Sequence, residues 1–211
     1  MMDSMPAKSI GAVVLMAGQS NRMGNENKLL LKLGEQTIVS HCISNLKQAG
    51  IEKILAVTGY QSGALDLEIA DYGVESIHND RYHEGMGTSI ALAFGHPTVS
   101  YWTGALVVLG DMPLIEVSTL ERLHSESLAH PNQIIVPMVN QRRGQPVIFP
   151  SSFFDRLQQC KGDVGGKWIL QTHPNRVHKV DVSDQGVLLD VDSPESLETV
   201  RRLYTQRQSN G

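Results

Sequence analysis

The sequence contains few cysteines and no long hydrophobic segment. Its two cysteines, Cys42 and Cys160, lie far apart in a chain of 211 residues, which argues against a disulfide framework and a cysteine-rich zinc site. No apolar run approaches the ~18–20 residues needed to span a bilayer. The first lysine follows an acidic residue, and the apolar stretch after it leads into glycine and charge, unlike a signal peptide. We therefore expect a reduced, cytoplasmic protein with no membrane partner.

An excess of positive charge is also missing. Lys and Arg total 18, whereas Asp and Glu total 22, so the formal net charge is −4. Because a nucleic-acid surface is normally basic, we expect no nucleic-acid partner, although a local basic pocket for a small polyanion remains compatible. The 41% hydrophobic and 19% charged content is that of a globular protein. The length favours one domain, or one domain with a small appendage.

Short apolar runs alternate with amphipathic stretches along the chain. Strands are predicted at residues 10–16, 53–58, 74–78, 105–109 and 177–182. Helices are predicted near residues 38–49, 64–71, 87–94, 118–129, 152–160, 166–172 and 193–206. Two apolar runs, 134–139 and 146–149, flank a polar segment and predict a hairpin or a sheet excursion. This alternation predicts an α/β fold with a Rossmann-like, mostly parallel sheet between two helical layers.

The loop after the first strand has the composition of an anion-binding turn. It reads Ala17-Gly18-Gln19-Ser20-Asn21-Arg22-Met23-Gly24 and is followed by Lys28. Small residues let backbone N–H groups approach a phosphate, and the two cations would add a bidentate grip and a point charge. The loop matches neither GxGxxG nor a Walker A motif. The alternative is an ordinary turn with a solvated arginine and lysine.

Acidic residues follow two later elements. Asp111 ends the predicted strand at 105–109 within Gly-Asp-Met-Pro, where it could bind a metal or a substrate hydroxyl, or simply cap the next turn. Asp190 and Asp192 would point to the same side of an extended segment. Paired carboxylates favour a hard divalent cation such as Mg²⁺. The alternative is that one of them caps the last helix and the other is solvated.

Three further polar, glycine-bearing segments occupy residues 79–89, 142–147 and 162–167, and each could be only a surface loop. Together with the preceding motifs they resemble the MobA-like nucleotidyltransferase family, in its molybdenum cofactor cytidylyltransferase (MocA-like) branch. The resemblance covers roughly residues 10–200. It rests on six segments in order: LMAGQSNRMG, NDRYHEGMGTSI, GDMP, RGQPVIF, GDVGGKWIL and LLDVDSPESL.

The resemblance implies a sheet of the nucleotide-diphospho-sugar transferase (GT-A-like) type and the transfer of CMP from CTP to a molybdopterin cofactor, with release of pyrophosphate. It implies a single domain over 1–211, with a nucleotide-binding half at about 10–115 and an acceptor-binding half at about 116–207. An apo-molybdoenzyme could receive the product. Mg²⁺ is the expected cofactor, with Mn²⁺ as an alternative. GTP is the less favoured nucleotide, and Met16, which stands where the branch usually has Ala, departs from the branch's pattern beside the nucleotide loop.

The resemblance also implies site residues. The catalytic residues would be Arg22, Lys28 and Asp111. The nucleotide would contact Ala17, Gly18, Arg22, Lys28, Asn79, Gly85 and Ser89. The acceptor would face Gln145, Pro146, Gly162 and Asp163. The metal ligands would be Asp111, joined by Asp190 or Asp192.

Other functions remain open at this point. One is a related guanylyl- or sugar-phosphate nucleotidyltransferase, which would use a different nucleotide or acceptor. Another is a carrier that binds the pterin cofactor without catalysis, although the presence of all three aspartates disfavours it. A third is a nucleotide-binding domain without this chemistry. Release of pyrophosphate would separate a transferase from a carrier.

Overall fold

The structure is a computed structural model that describes residues 9–19 and 27–209. Within this part of the chain, ten β-strands alternate with helices. The strands are β1 Ile10–Leu15, β2 Lys32–Leu33, β3 Gln36–Thr37, β4 Ile54–Thr58, β5 Glu75–His78, β6 Gly104–Leu109, β7 Ile134–Val139, β8 Arg142–Arg143, β9 Val147–Pro150 and β10 Val177–Asp181. The helices are α1 Ile38–Gln48, α2 Ser62–Ile69, α3 Met86–Phe94, α4 Pro97–Ser100, α5 Val117–Ala129, α6 Phe154–Leu157, α7 Lys167–Thr172 and α8 Pro194–Ser209.

The main sheet has the strand order β10-β7-β9-β6-β1-β4-β5, with β8 paired to β7. Neighbouring pairs are parallel, except that β9 runs antiparallel to both β6 and β7 and β8 runs antiparallel to β7. The mostly parallel sheet expected from the alternation of elements is therefore confirmed. Because β1, β4, β5 and β6 run in the same direction, the segments that follow them leave at one edge of the sheet.

Both faces of the sheet are covered, which explains why β1 is apolar throughout. Ala12 and Val14 point to a core on one face, where α1, α2, α5 and α8 pack. Val13 and Leu15 point to a second core on the other face, where α3, α6 and α7 pack. A strand covered on both sides cannot alternate apolar with polar residues, because each side chain is removed from water.

The segment around residue 140 forms both structures that the sequence left open. β7 turns at Asn140 and Gln141, whose φ angles of 48° and 64° are both left-handed, and returns as the short strand β8. Two left-handed central residues are typical of the type I′ turn that fits a twisted hairpin. The chain then continues into β9, which lies between β6 and β7.

The segment around residues 151–160 contains less α-helix than expected. The helix predicted at 152–160 is shorter: a 3₁₀ turn, Ser151–Phe153, leads into α6, which ends at Leu157. The amides of Gln159 and Cys160 donate to the carbonyl oxygens three residues earlier, so the chain forms tight turns there.

No helix in the described ranges is both long and apolar enough to cross a membrane.

Candidate active site

A cleft of about 370 Å³ lies at the edge of the sheet where β1 and β6 end. These two strands are hydrogen-bonded neighbours, with Leu15 opposite Leu109 at their ends. The lining of the cleft combines the loop after β1, the segment before α3 and four carboxylates. The lining residues are Leu15, Met16, Ala17, Gly18, Gln19, Lys28, Leu29, Tyr82, His83, Gly85, Met86, Ser89, Leu109, Asp111, Asp163, Asp190 and Asp192.

Lys28 lies between two of the carboxylates. Its ammonium nitrogen Nζ donates to Asp111 Oδ2 at 2.5 Å and to Asp192 Oδ1 at 2.8 Å. The lysine begins a 3₁₀ turn, Lys28–Leu30, which is capped by Asn27, whose Oδ1 accepts from Leu29 N at 3.1 Å. This cap fixes the backbone of the turn, so the lysine side chain starts from a defined position.

The connection before α8 brings two more carboxylates to Asp111. Val191 N donates to the carbonyl oxygen of Asp111 at 3.0 Å, and the Val191 side chain is fully buried. Side chains alternate along an extended chain, so Asp190 and Asp192 turn away from the core. Carboxylate oxygens of all three aspartates lie within 4.8 Å of one another. The expected same-side arrangement of Asp190 and Asp192 is present.

The competing capping interpretations find no support in these contacts. Ser193 precedes Pro194 at the start of α8, and its Oγ accepts from Ser196 N at 3.3 Å, so a serine caps the helix as expected. Asp192 instead accepts from Lys28. The side chain of Asp111 likewise accepts from Lys28 rather than from the turn that follows it.

Burial and charge oppose each other at this cluster. Burial raises the pKa of the Asp111 carboxyl, attraction to Lys28 partly offsets the rise, and repulsion from Asp190 and Asp192 adds to it. Burial lowers the pKa of Lys28, but Asp111 and Asp192 outweigh that effect, so its pKa lies above the ordinary value. Lys28 is therefore charged at neutral pH, and one ammonium faces three carboxyl groups.

The three aspartates fit a hard divalent cation. Asp111 Oδ1 is buried and has no hydrogen-bond partner among the described residues. A buried carboxylate oxygen without a donor is costly, and a cation would remove that cost. Mg²⁺ and Mn²⁺ both prefer oxygen ligands of this kind.

The segment before α3 forms the facing wall of the cleft. Gly85 and Ser89 line it, whereas the Asn79 side chain lies behind, with its amide Nδ2 donating at 2.9 Å to the hydroxyls of Thr88 and Ser89. In this structure Asn79 thus orients the hydroxyl that lines the cleft. Gly85 has φ +108°, a conformation that favours glycine.

The loop containing Gly162 and Asp163 joins the same wall. Gly87 N donates to the Gly162 carbonyl at 2.7 Å. A β-carbon at Gly85 would lie 2.5 Å from Asp163 Oδ1 and from the Gly162 carbonyl carbon. The two segments that the sequence assigned to different ligands are therefore in direct contact, and the Asp163 side chain reaches the main cleft.

Gln145 lies deeper, in a smaller cavity of about 70 Å³ that shares Leu15, Met86 and Leu109 with the main cleft. Arg143 and Lys167 bring two cations to its otherwise mainly apolar lining. Pro146 follows Gln145 and lines neither space. The backbone of this loop is held by Gln145 N, which donates to the Val187 carbonyl at 2.8 Å.

Some lining residues were not among the sequence candidates. Tyr82, His83 and Met86 line the cleft; their position in a polar, glycine-bearing loop after a strand was the available signal. Asp184, which is buried outside the cleft lining, was not singled out by the sequence either. Arg22 lies outside the described residues, so its assignment remains a prediction.

Comparison with known proteins agrees with this architecture. Residues 12–180 match the MobA-like NTP transferase domain. The chain is 25% identical over 199 residues to the molybdenum cofactor cytidylyltransferase of Escherichia coli, covering 94% of this chain and 98% of that protein. It is 36% identical over 120 residues to the bifunctional protein GlmU of Staphylococcus haemolyticus, covering 55% of this chain but only 26% of GlmU.

Solved structures show the same fold. Rv0371c from Mycobacterium tuberculosis superposes with a TM-score of 0.77 at 28% identity, covering 94% of this chain and 100% of that chain. Its complex with manganese superposes with a TM-score of 0.74 at 27% identity, covering 92% and 98%. The resemblance seen in the sequence is confirmed: the chain belongs to the MobA-like NTP transferase family and is a nucleotidyltransferase.

Proposed function

We propose that this nucleotidyltransferase transfers CMP from CTP to a molybdopterin-type molybdenum cofactor. The observation that carries the proposal is the cluster of Lys28, Asp111, Asp190 and Asp192 beside the loop Ala17–Gln19, at one end of a single cleft. The choice of nucleotide and acceptor is supported by the relative from E. coli, which is a cytidylyltransferase of the molybdenum cofactor and spans nearly the same length.

The reaction needs no nucleophile from the protein. A terminal phosphate oxygen of the acceptor attacks the α-phosphorus of the nucleotide, the bond to the β-phosphate oxygen breaks, and pyrophosphate leaves. The Cys42 thiol is unsuited to act as a nucleophile. Its pKa is raised to about 12, mainly by burial and additionally by the negative charge of Asp111. Catalysis would therefore consist of positioning the reactants and stabilising charge.

Lys28 would neutralise the triphosphate. Its raised pKa keeps the ammonium charged, and its three protons can be redirected from carboxylates to phosphate oxygens. Ala17 and Gly18 carry no bulky side chain, so their backbone N–H groups would bind the phosphates closely. Arg22 would add a guanidinium to the same loop.

Asp111, with Asp190 and Asp192, would hold Mg²⁺ or Mn²⁺. Such a cation, when bound, screens the negative charge that opposes attack on a phosphate. The carboxylates contribute the negative charge that selects a divalent cation, and Lys28 limits the net charge of the cluster. The manganese complex of Rv0371c supports a divalent cation in a related protein.

The remaining assignments follow the walls of the cleft. Gly85 and Ser89 would face the base and ribose, with Asn79 orienting the serine hydroxyl. Gly162 and Asp163 would face the acceptor, and Gln145 and Pro146 would shape the smaller cavity beside it.

The division into halves at about residue 115 is part of the proposal, as are a cytoplasmic location and delivery of the product to an apo-molybdoenzyme. Asp190 and Asp192 come from the second half and Lys28 and Asp111 from the first, so neither half would hold the metal alone.

The test is pyrophosphate release by the full chain with Mg²⁺ and molybdenum-loaded molybdopterin, with CTP and GTP offered separately. We expect release with CTP. Release with GTP alone would indicate that the protein is a guanylyltransferase. Release only when a sugar phosphate replaces molybdopterin would indicate that the acceptor is a sugar phosphate. Pterin binding without release from any nucleotide would identify a carrier. Lys28→Ala should abolish release, whereas Lys53→Ala, at an exposed lysine outside the cleft, should not.

A further inference from the structure

The second cluster of metal-ligating side chains lies away from the cleft. Glu126 is in the last turn of α5, His130 follows directly after that helix, and His178 is the second residue of β10. β10 is an edge strand that runs parallel to β7, and β7 has the same direction as β6. His178 therefore lies towards the amino end of the sheet, opposite the edge where Asp111 closes the cleft.

The three side chains converge on one point. His178 Nε2 lies 3.1 Å and His130 Nε2 lies 3.6 Å from the same oxygen, Glu126 Oε2. All three candidate ligand atoms lie within 4.8 Å of one another. The two imidazole rings are stacked, with centroids 4.0 Å apart and planes 25° from parallel, so both rings present Nε2 to the same carboxylate.

These separations agree with those of ligands around a small cation. Ligand atoms bonded at about 2.0–2.1 Å in a tetrahedral site lie roughly 3.3 Å from one another. The two nitrogen–oxygen distances of 3.1 and 3.6 Å bracket that value. Helical residues four apart face the same side, which explains why Glu126 and His130 are adjacent. Only the tertiary structure adds His178, 48 positions further along the chain.

The geometry points to a second metal site, formed by Glu126, His130 and His178, for a transition-metal dication such as Zn²⁺. Two imidazole nitrogens and one carboxylate oxygen suit Zn²⁺, Ni²⁺, Co²⁺ or Cu²⁺, whereas Mg²⁺ prefers oxygen ligands only. The site thus differs in chemistry from the all-oxygen cluster around Asp111. The side chains are 30–42% exposed, so water can supply the remaining ligands.

A cation at this site would connect the end of α5 to the edge strand β10. β10 is hydrogen-bonded only to β7 within the described sheet, and the connection after it leads to Asp184 and then to Asp190. The cation would therefore act structurally, by fastening an edge strand to the helix packed beside it. Metal that binds only the folded chain raises the stability of that chain.

The proposal is tested with the full chain, freed of metal by a chelator and carrying no polyhistidine tag. Zn²⁺ binding is measured by equilibrium dialysis in excess Mg²⁺, which occupies the aspartate cluster. We expect about one Zn²⁺ per chain, and His178→Gln should weaken its binding at least about tenfold. His124→Gln, on the same helix but outside the cluster, should bind as the unaltered chain does.

Two further readouts make the result independent of activity. Co²⁺ in place of Zn²⁺ should give visible absorption bands that disappear in His178→Gln. Zn²⁺ should raise the Tm of the unaltered chain and of His124→Gln but not that of His178→Gln, provided that the metal-free variants unfold at similar temperatures. If His178→Gln has a lower metal-free Tm, Glu126→Gln replaces it.

Two results would overturn the proposal. One is Zn²⁺ binding that is equal in the unaltered chain, His178→Gln and Glu126→Gln. The other is Zn²⁺ binding that is lost in Asp192→Asn but retained in His178→Gln, because the metal would then occupy the cleft.

Discussion

Two buried aspartates, Asp184 and Asp111, have opposite surroundings. The side chain of Asp184 is 1% exposed and is satisfied on both oxygens: Oδ1 accepts from Gly186 N at 2.8 Å and from Arg207 at 3.2 Å, and Oδ2 accepts from Glu116 N at 2.8 Å. The side chain of Asp111 is 10% exposed, and only one of its oxygens has a donor among the described residues.

This difference separates a carboxylate that the fold satisfies from one that we propose to be functional. Asp184 joins the connection after β10 to the start of α5 and to α8, so its donors are parts of the fold itself. Asp111 lines the cleft with one of its oxygens buried and without a donor among the described residues, and two further carboxylates lie close to it. A folded protein retains such an incompletely satisfied buried group where a ligand completes it. Substitutions at the two positions should therefore have opposite effects on stability and activity.

The largest effect is expected on activity when Asp111 is substituted. Asp111→Asn keeps the size of the side chain but removes its charge, and should lower kcat/KM by about 10²–10³-fold. The free energy of unfolding should change by less than about 1 kcal/mol, because relief of a buried charge offsets loss of the pair with Lys28. Asp71→Asn, at an exposed carboxylate, is the control. Activity retained in Asp111→Asn would contradict the assigned role.

A large effect on stability is expected when Asp184 is substituted. Asp184→Ala leaves two backbone N–H groups without their acceptor and removes one of the partners of Arg207, so the free energy of unfolding should fall by about 3 kcal/mol. Urea denaturation measures the change, with Asp181→Ala, at an exposed position on β10, as the comparison. The folded fraction should keep its kcat. An unchanged unfolding midpoint would show that these hydrogen bonds contribute little.

A smaller effect should appear as the pH is varied. Burial raises the pKa of Asp111 in the folded chain, whereas the unfolded chain has the ordinary value of about 3.9. Between these two values the folded chain binds more protons, so the contribution of this carboxyl to stability is present at low pH and is lost as pH rises through the window. Activity should change in the opposite direction, since the carboxylate form is the one that would bind the metal in the proposed mechanism.

The difference between the unaltered chain and Asp111→Asn isolates this group. Unfolding free energies are measured in chelator at several pH values from about 4 upward, and kcat/KM is measured at saturating Mg²⁺. A difference in stability that grows in favour of the unaltered chain with rising pH would show that the pKa of Asp111 is lowered rather than raised.

The sequence predicted the frame of the molecule and most of the cleft-lining segments. Strand positions could be read because a strand buried on both faces is apolar throughout, as Ile10–Leu15 is. The loop after it and Asp111 could be singled out because parallel strands release their following residues at one edge. Asp190 and Asp192 followed from the two-residue repeat of an extended chain. All of these are local regularities of the backbone.

Two features of the candidate site depended on the tertiary structure. The pairing of Lys28 with Asp111 and Asp192 spans 83 and 164 positions, and no local pattern encodes such a contact. Gly85 meets Asp163 because α3 and the loop after α6 pack together, which brought two predicted subsites into contact.

The separation of Asp111 from Asp184 has the same origin. Both residues are aspartates next to apolar runs, and neither run indicates how the aspartate beside it is hydrogen-bonded. Which one is satisfied depends on whether donors from distant segments surround it, and that is decided only when the chain packs. The sequence by itself thus determined which elements form and which side chains leave the sheet at its edge. Packing alone decided which charges become buried, which are paired and which remain directed into the cleft, because those properties depend on neighbours far apart along the chain.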